Sequence, residues 1–304
     1  MSSPKQLADT ALQRYDLADA RLTFLAASFN TVYRVDARAA SYVLHVGPAL
    51  CIHHPDVAAA QDRWTRHLEA RGVPVPRVVR TRDGAPSTRV GTATGTHECT
   101  VTTWVPGVPL ATPPSPADVR GLGTLSARLH DATDPVGTAP AGALTWRSVL
   151  QFELADRLGA LPAPSRDVLR NAHTRAQSAV DRLWRQASTP PRLVHTDLTP
   201  ANLVRDGDTV HALDFQDMAW GHVEQDLANT LYGLTRGHDA PETLAALRDG
   251  YEQVRPWPRL DPGLLPDLFA ARRLAIVNLA VHRRRPDLDA YVRRHVDALR
   301  DHAD

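Results

Sequence analysis

Three short segments near the start of the chain, at 22–25, 31–35 and 41–46, are rich in apolar, aromatic and β-branched residues. Such residues are typical of strands, and a turn at 26–30 separates the first two segments, so they predict the start of an antiparallel sheet. Further strands are predicted at 77–82 and 98–104, with a hairpin loop rich in Gly and Thr at 91–96 between them. A short amphipathic helix over residues 5–20 is expected to pack on the outside of the sheet.

Helical periodicity dominates the remainder of the chain. One helix is predicted at 56–71, where residues 72–76 supply the Gly and Pro that stop it. Seven more are predicted at 117–133, 146–161, 165–187, 224–237, 241–254, 262–284 and 286–301. The pattern therefore indicates a sheet followed by a helical platform.

The densest set of polar groups at fixed spacing lies at 193–232. Asp197 and Asn202 stand five residues apart on a loop between apolar segments, and a turn at 206–208 leads to a second carboxylate, Asp214. Hairpin geometry brings the three side chains together. In phosphoryl transfer one carboxylate accepts the proton of the attacking hydroxyl, while an amide oxygen and another carboxylate hold Mg²⁺ on the nucleotide phosphates. Asp197 is thus the candidate base, and Asn202 and Asp214 are the candidate metal ligands. The alternative is a hairpin whose Asp and Asn side chains only cap turns.

This stretch resembles the aminoglycoside phosphotransferase family. The positions that carry the resemblance are His195, Asp197, Pro200, Asn202, Asp214, Phe215, Gly221, Asp226, Leu227 and Ala228. Two positions depart from the pattern, since Thr196 replaces the usual Gly and Gln216 follows Asp-Phe. The resemblance implies a two-lobed, protein-kinase-like α+β fold with an antiparallel sheet and a mainly helical second lobe. It also implies that His195 and Asp226 brace the catalytic loop.

The resemblance further implies a nucleotide site in the first lobe. The turn at 26–30 would cover the phosphates but has no Gly, which leaves Ser28 and Asn30 as possible donors. His45 occupies the strand position where the family pattern has a basic residue, with Arg34 as an alternative anchor and Gln61 or Asp62 as the helix partner. The backbone of Thr103 and Val105 would bind adenine. The predicted domains are residues 1–103 and 104–304.

Composition excludes several other classes. The chain has 304 residues, 43% of them hydrophobic, and a formal charge of +1, which argues against a dedicated binder of nucleic acid or membrane surfaces. No apolar run approaches the roughly 18 residues of a membrane span, and no signal peptide is recognised, so a cytoplasmic location is expected. Cys51 and Cys99 have no metal-site or disulfide spacing. Lys5 is the only lysine, and the richness in Arg, Ala and Pro is typical of bacterial coding bias.

The expected activity is transfer of phosphate from ATP or GTP, with Mg²⁺, to a hydroxyl of a small molecule. Aminoglycoside-like compounds, sugars, nucleosides, amino alcohols and other antibiotics are all open as acceptors, in resistance or in biosynthesis. The resemblance places Asp217, Glu224, Arg272, Asn278, His282 and Arg283 near the acceptor, and the Arg-rich late helices disfavour a polycation. The alternative is a kinase-fold protein with a weakened nucleotide site, which binds small molecules or catalyses a different transfer. The oligomeric state is left open.

Overall fold

The N-terminal part of the chain contains an antiparallel sheet, as predicted. The computed structural model describes residues 3–17, 19–187, 189–238 and 240–300. Its first strands are β1 Arg21–Ala27, β2 Thr31–Asp36, β3 Ser41–Val46, β4 Val78–Val79, β5 Thr88–Thr92 and β6 Gly95–Thr103. They are ordered β1-β2-β3-β6-β4, and β5 forms a hairpin with β6. The predicted strand at 77–82 is mostly irregular, and Thr88–Thr92 is the hairpin partner instead.

The two faces of this sheet have different environments. Leu44 and its cross-strand partners Tyr33 and Val101 pack under helix α1 Pro4–Leu12. His45 and Thr100 are paired on the opposite face, because successive residues of a strand point to opposite sides. The α1 helix is shorter than predicted, since the chain turns after Leu12 to bury Tyr15 and Leu17; Ala18 lies outside the described residues. The sheet thus buries one side and offers the other to a site.

Helices make up most of the remaining chain. They are α2 Val57–Ala70, α3 Pro116–Ala132, α4 Ser165–Gln186, α5 Val223–Thr235, α6 Pro241–Glu252, α7 Leu265–His282 and α8 Leu288–Arg300. One core joins α2, α3, α5 and α6, and a second joins α4, α7 and α8. Gly123 of α3 and Gly250 of α6 let these two helices approach closely, because a Cβ at either position would collide with backbone of the other helix. The predicted end of the last helix, Asp301, lies outside the described residues.

Two small sheets contain the strands of the polar stretch at 193–232. One contains β7 Val108–Pro109, β10 Leu203–Asp206 and β11 Thr209–Ala212, and the other contains β8 Leu144–Thr145, β9 Arg192–Val194 and β12 Ala219–Gly221. The helix predicted at 146–161 is wrong. Its apolar residues, including Trp146 and Phe152, pack against β9 and β12 from an irregular segment that ends in a short 3₁₀ turn, Leu158–Ala160.

Candidate active site

Asp197, Asn202 and Asp214 lie on the loops that follow β9 and β11. The chain leaves β9 at Val194, forms a 3₁₀ turn at Pro200–Asn202 and enters the β10–β11 hairpin. The Leu213 N–H donates to the Asn202 carbonyl at 2.8 Å, which places Asp214 beside Asn202. The predicted juxtaposition of these residues is therefore present in the structure.

The Asp197 carboxylate is held on both oxygens. Asn202 Nδ2 donates to Oδ2 at 2.7 Å and to the Asp197 carbonyl at 3.0 Å. Arg272 Nη2, from α7, donates to Oδ1 at 2.7 Å. Burial raises the pKa of Asp197 above its usual value, and the neighbouring Arg272 charge only partly opposes this shift.

Asp214 has a free oxygen. Its backbone is in the left-handed region, with φ 49°, and its Oδ1 is buried without a hydrogen-bond partner among the described residues. A buried carboxylate oxygen without a donor is unfavourable unless another positive group meets it. Asp214 can therefore accept a cation or a donor from a ligand.

A buried network braces the loop that carries Asp197. His195 Nε2 is 2.9 Å from the Leu213 carbonyl, and its ring packs edge-to-face on Phe215. Thr196 has φ 70°, which explains why Gly is usual at this position. Its N–H donates to Asp226 Oδ1 at 2.5 Å, and Asp226 Oδ2 lies 2.9 Å from His130 Nε2. The bracing roles expected for His195 and Asp226 are confirmed, and His130 is a packing residue.

A second ion pair lies close to the first. His53 Nε2, in the segment between β3 and α2, is 2.6 Å from Asp217 Oδ1. The His53 ring lies edge-to-face with Phe29 and Phe152. Burial opposes ionisation of Asp217, but the hydrogen bond from His53 and the nearby positive groups, Arg272 among them, outweigh it, so the pKa of Asp217 is lowered. Asp217 is therefore a carboxylate whose Oδ1 is already engaged by His53.

The predicted phosphate-binding turn is engaged with the rest of the protein. Ser28 N–H donates to the Asn30 carbonyl at 3.0 Å, and the Ser28 carbonyl accepts from Arg283 Nη2 at 2.7 Å. Asn30 Nδ2 donates to Gln216 Oε1 at 3.0 Å. None of the described residues 27–31 has a positive φ, so the turn does not require Gly. Donors expected to face phosphate thus have protein partners here.

His45 keeps an unused nitrogen. It is buried, and its Nδ1 has no partner among the described residues; the same holds for Gln61 Oε1. Gln61 and Thr100 line a cavity of about 450 Å³ that Gln216 also borders. Asp62 points elsewhere and pairs with Arg66 and Arg80. Of the two predicted helix partners, Gln61 is therefore the one that borders the cavity.

The other predicted nucleotide contacts differ in availability. Thr103 exchanges backbone hydrogen bonds with the sheet, and its hydroxyl accepts from Arg77 N–H at 2.9 Å. The Val105 N–H has no partner in the described part of the chain. Arg34 is bound to Asp36 and Ser41 and lies over the Trp104 ring. Lys5 is exposed on α1, paired with Asp9, and so does not lie on the sheet face of His45.

The residues predicted to lie near the acceptor have different contacts in the structure. Arg272 and Asp217 belong to the ion pairs just described, and Arg283 contacts Ser28. Asn278 and His282 hold the backbone of Ala155. Glu224 is buried elsewhere, where burial raises its pKa near Arg192 and Arg255. Glu224 therefore does not belong with the residues predicted to lie near the acceptor.

Within the described residues, no group of three or more His, Cys, Asp or Glu side chains could hold a metal ion. None of the described helices is long and apolar enough to cross a membrane.

Comparison with known proteins decides the family. A family model, the phosphotransferase enzyme family (APH), matches residues 22–262. The chain belongs to this family. It is a phosphotransferase of the small-molecule kinase class, as the hairpin motif predicted.

Individual relatives agree with this assignment. The chain is 28% identical over 290 residues to an uncharacterized protein of Deinococcus radiodurans, covering 92% of this chain and 83% of that protein. It is 29% identical over 230 residues to a homoserine kinase of Gluconobacter oxydans, covering 70% and 68%. The structure of an amicoumacin kinase in complex with AMP-PNP, Ca²⁺ and Ami aligns with a TM-score of 0.75 at 21% identity, covering 99% of this chain and 94% of that chain. This likeness confirms the kinase-like α+β fold.

Sequence reasoning missed the contact between His53 and Asp217. The two partners of the His53–Asp217 pair are 164 positions apart. No local signal in the sequence links them.

Proposed function

We propose that this protein transfers the γ-phosphate of ATP or GTP to a hydroxyl group of a small molecule. The observation that carries the proposal is the joint placement of Asp197, Asn202 and Asp214, with Asp197 bonded to Asn202 and one Asp214 oxygen unpaired. These are the groups that phosphoryl transfer needs, since that reaction depends on positioning and charge stabilisation.

Asp197 acts as the base that orients the acceptor. A carboxylate has about four lone-pair sites, so Oδ1 can accept a hydroxyl proton while Arg272 stays bound. The raised pKa brings Asp197 nearer to neutral pH and makes it a better proton acceptor. The acceptor oxygen forms a bond to the γ-phosphorus, the bond from that phosphorus to the β-bridging oxygen breaks, and a nucleoside diphosphate leaves.

Asn202 and Asp214 fit a Mg²⁺ site. The unpaired buried Asp214 oxygen and the Asn202 amide oxygen are the hard oxygen ligands that Mg²⁺ prefers, and few protein ligands suffice when phosphates and water complete the octahedron. When bound, the ion would neutralise charge on the phosphates. A site of this kind does not need three clustered His, Cys or acidic side chains.

The nucleotide would lie between residues 1–103 and 104–304. His45 and Val105 have unused polar groups for it, whereas Ser28, Asn30 and Thr103 would first exchange protein partners for the ligand. A homoserine kinase and an amicoumacin kinase among the similar proteins support a small molecule with a hydroxyl group as the acceptor.

Calorimetry tests the nucleotide site. ATP and GTP are titrated with and without Mg²⁺ into the wild type, Asp214→Ala and the control Asp289→Ala, whose carboxylate is exposed on α8. Mg²⁺-dependent binding should be lost only in Asp214→Ala. Equal binding in all three proteins would remove Asp214 from the metal site.

Turnover tests the base. With any acceptor that gives a phosphorylated product, Asp197→Ala should lower kcat by a factor on the order of 10² or more. Nucleotide binding should be unchanged. A variant with wild-type kcat would exclude Asp197 as the base.

A further inference from the structure

Arg272 has more hydrogen-bonding capacity than Asp197 uses. Its side chain is only 11% exposed, and Nη2 donates to Asp197 Oδ1. Its Nη1 is buried and has no partner among the described residues. A buried charged group with an unpaired donor destabilises the protein, so a ligand that brings an acceptor to this nitrogen would bind favourably.

Arg272 lies on the helix face that points to the cleft. Positions 272, 276, 279 and 283 follow the three-and-four spacing of one helical face. Leu279 of this face packs in the same cluster as Phe29, and Arg283 reaches the Ser28 carbonyl. The face therefore runs from the catalytic carboxylate to the turn of the β1–β2 hairpin, with a guanidinium at each end.

The carboxylates nearest to the proposed reaction centre are already engaged. Asp197 is paired with Arg272, Asp217 is paired with His53, and Asp214 is assigned to Mg²⁺ in the proposed function. Arg283 contacts only a carbonyl and the Phe29 ring in the described structure, so no side-chain carboxylate neutralises it. The α7 face thus presents one uncompensated positive charge, Arg283, and the unused Nη1 donor of Arg272.

We propose that the acceptor is a hydroxy acid, and that Arg272 binds its carboxylate while Asp197 orients its hydroxyl. This inference rests on the proposed phosphotransferase function. A guanidinium matches a carboxylate as a planar fork, and such charge-assisted pairs are the strong ones. Because Arg272 touches Asp197, a carboxylate on Arg272 places its own hydroxyl next to Asp197 only when a short carbon chain separates the two groups.

Matched acceptor pairs that differ only by a carboxylate test this specificity. The pairs are L-homoserine with 3-aminopropan-1-ol, L-threonine with 1-aminopropan-2-ol, and D-glycerate with ethylene glycol. Transfer is measured by nucleoside diphosphate release and product mass, for the wild type, Arg272→Gln and Arg293→Gln. Arg293 is an exposed arginine of α8 and serves as the control for loss of a charge.

The expected result is a preference for the acid of roughly 10- to 100-fold in kcat/KM in at least one pair, the range for a hydrogen bond to a charged group. Arg272→Gln should abolish the preference by raising KM for the acid, and Arg293→Gln should keep it. Equal or better use of the decarboxylated partner in every pair would overturn the proposal. An equal fall of kcat for both members in Arg272→Gln would also overturn it, since Arg272 would then only position Asp197.

Binding separates this proposal from the proposed function. The same acids are titrated by calorimetry into protein that holds the β,γ-imido analogue of ATP. Acid binding that Arg272→Gln abolishes, without phosphorylated product from any pair, would support the carboxylate site and count against phosphotransfer to these acceptors. Absence of both acid binding and product would overturn the carboxylate site.

Discussion

Removal of Asp226 should disturb the loop that carries Asp197. It is 1% exposed and joins the Thr196 N–H, at 2.5 Å, to His130, at 2.9 Å. His130 in turn lies 3.0 Å from the Tyr251 hydroxyl. Asp226→Ala therefore removes one acceptor and leaves two buried polar groups without it.

The magnitude follows from those two groups. A buried donor that loses its partner destabilises the fold by about 1–3 kcal/mol, so Asp226→Ala should lower the free energy of unfolding by about 2–6 kcal/mol. Thr196 would also lose the bond that holds its left-handed backbone. Asp226→Asn keeps an oxygen for the Thr196 N–H, and the other His130 tautomer can accept from the new amide. Its effect should be less than half that of Ala.

Urea unfolding of the wild type, Asp226→Ala, Asp226→Asn and the exposed control Asp289→Ala measures these differences. The control should lie within about 0.5 kcal/mol of the wild type. A free energy of unfolding for Asp226→Ala within about 1 kcal/mol of the wild-type value would refute the reasoning. Equal destabilisation by Asn and Ala would show that the carboxylate charge, rather than hydrogen-bond count, is what the loop requires.

Two further predictions concern stability. Gly123→Ala should lower the free energy of unfolding in urea by more than about 2 kcal/mol. Ala favours the helix by about 1 kcal/mol, but its Cβ would overlap the Leu247 carbonyl of α6. Gly137→Ala, where an added Cβ would meet no atom within 4 Å, should be nearly neutral, and equal effects of the two substitutions would contradict the packing explanation. Burial, with Arg273, Arg294 and Arg285 nearby, lowers the pKa of His295 to about 4. The unfolded chain therefore protonates this histidine near pH 6.5, where the folded chain does not. Stability falls as the pH drops, by about 2 kcal/mol from this group between pH 7 and 5. Urea midpoints of His295→Gln should show a smaller loss over that range, and an identical pH dependence would exclude His295 as a contributor.

The parts of the fold that follow local periodicity were predictable. The strands at 31–36 and 41–46 are rich in apolar and β-branched residues, and the hairpin of β10 and β11 combines apolar strands with turn residues. The helix predicted at 146–161 failed because its apolar spacing is set by contacts with strands far along the chain. Leu144 and Trp146, for example, bond to Met218 and Trp220.

The candidate site also has a part that the local sequence predicts and a part that depends on contacts between distant residues. The sequence could bring Asp197, Asn202 and Asp214 together because they lie close along the chain, on the loop before β10 and directly after β11. The Arg272–Asp197 and His53–Asp217 pairs bridge 75 and 164 positions, and such pairing depends on tertiary packing alone. The engaged state of Ser28 and Asn30 was likewise beyond the sequence, since their partners are Arg283 and Gln216.

The contacts that tie the β1–β2 turn to Gln216 and Arg283 have a kinetic consequence for a nucleotide kinase. The turn is already ordered before a ligand arrives, so less conformational entropy is lost on binding. In the proposed function these two hydrogen bonds would open to admit a triphosphate and again to release the diphosphate. Release of the diphosphate, rather than the transfer step, would then limit turnover.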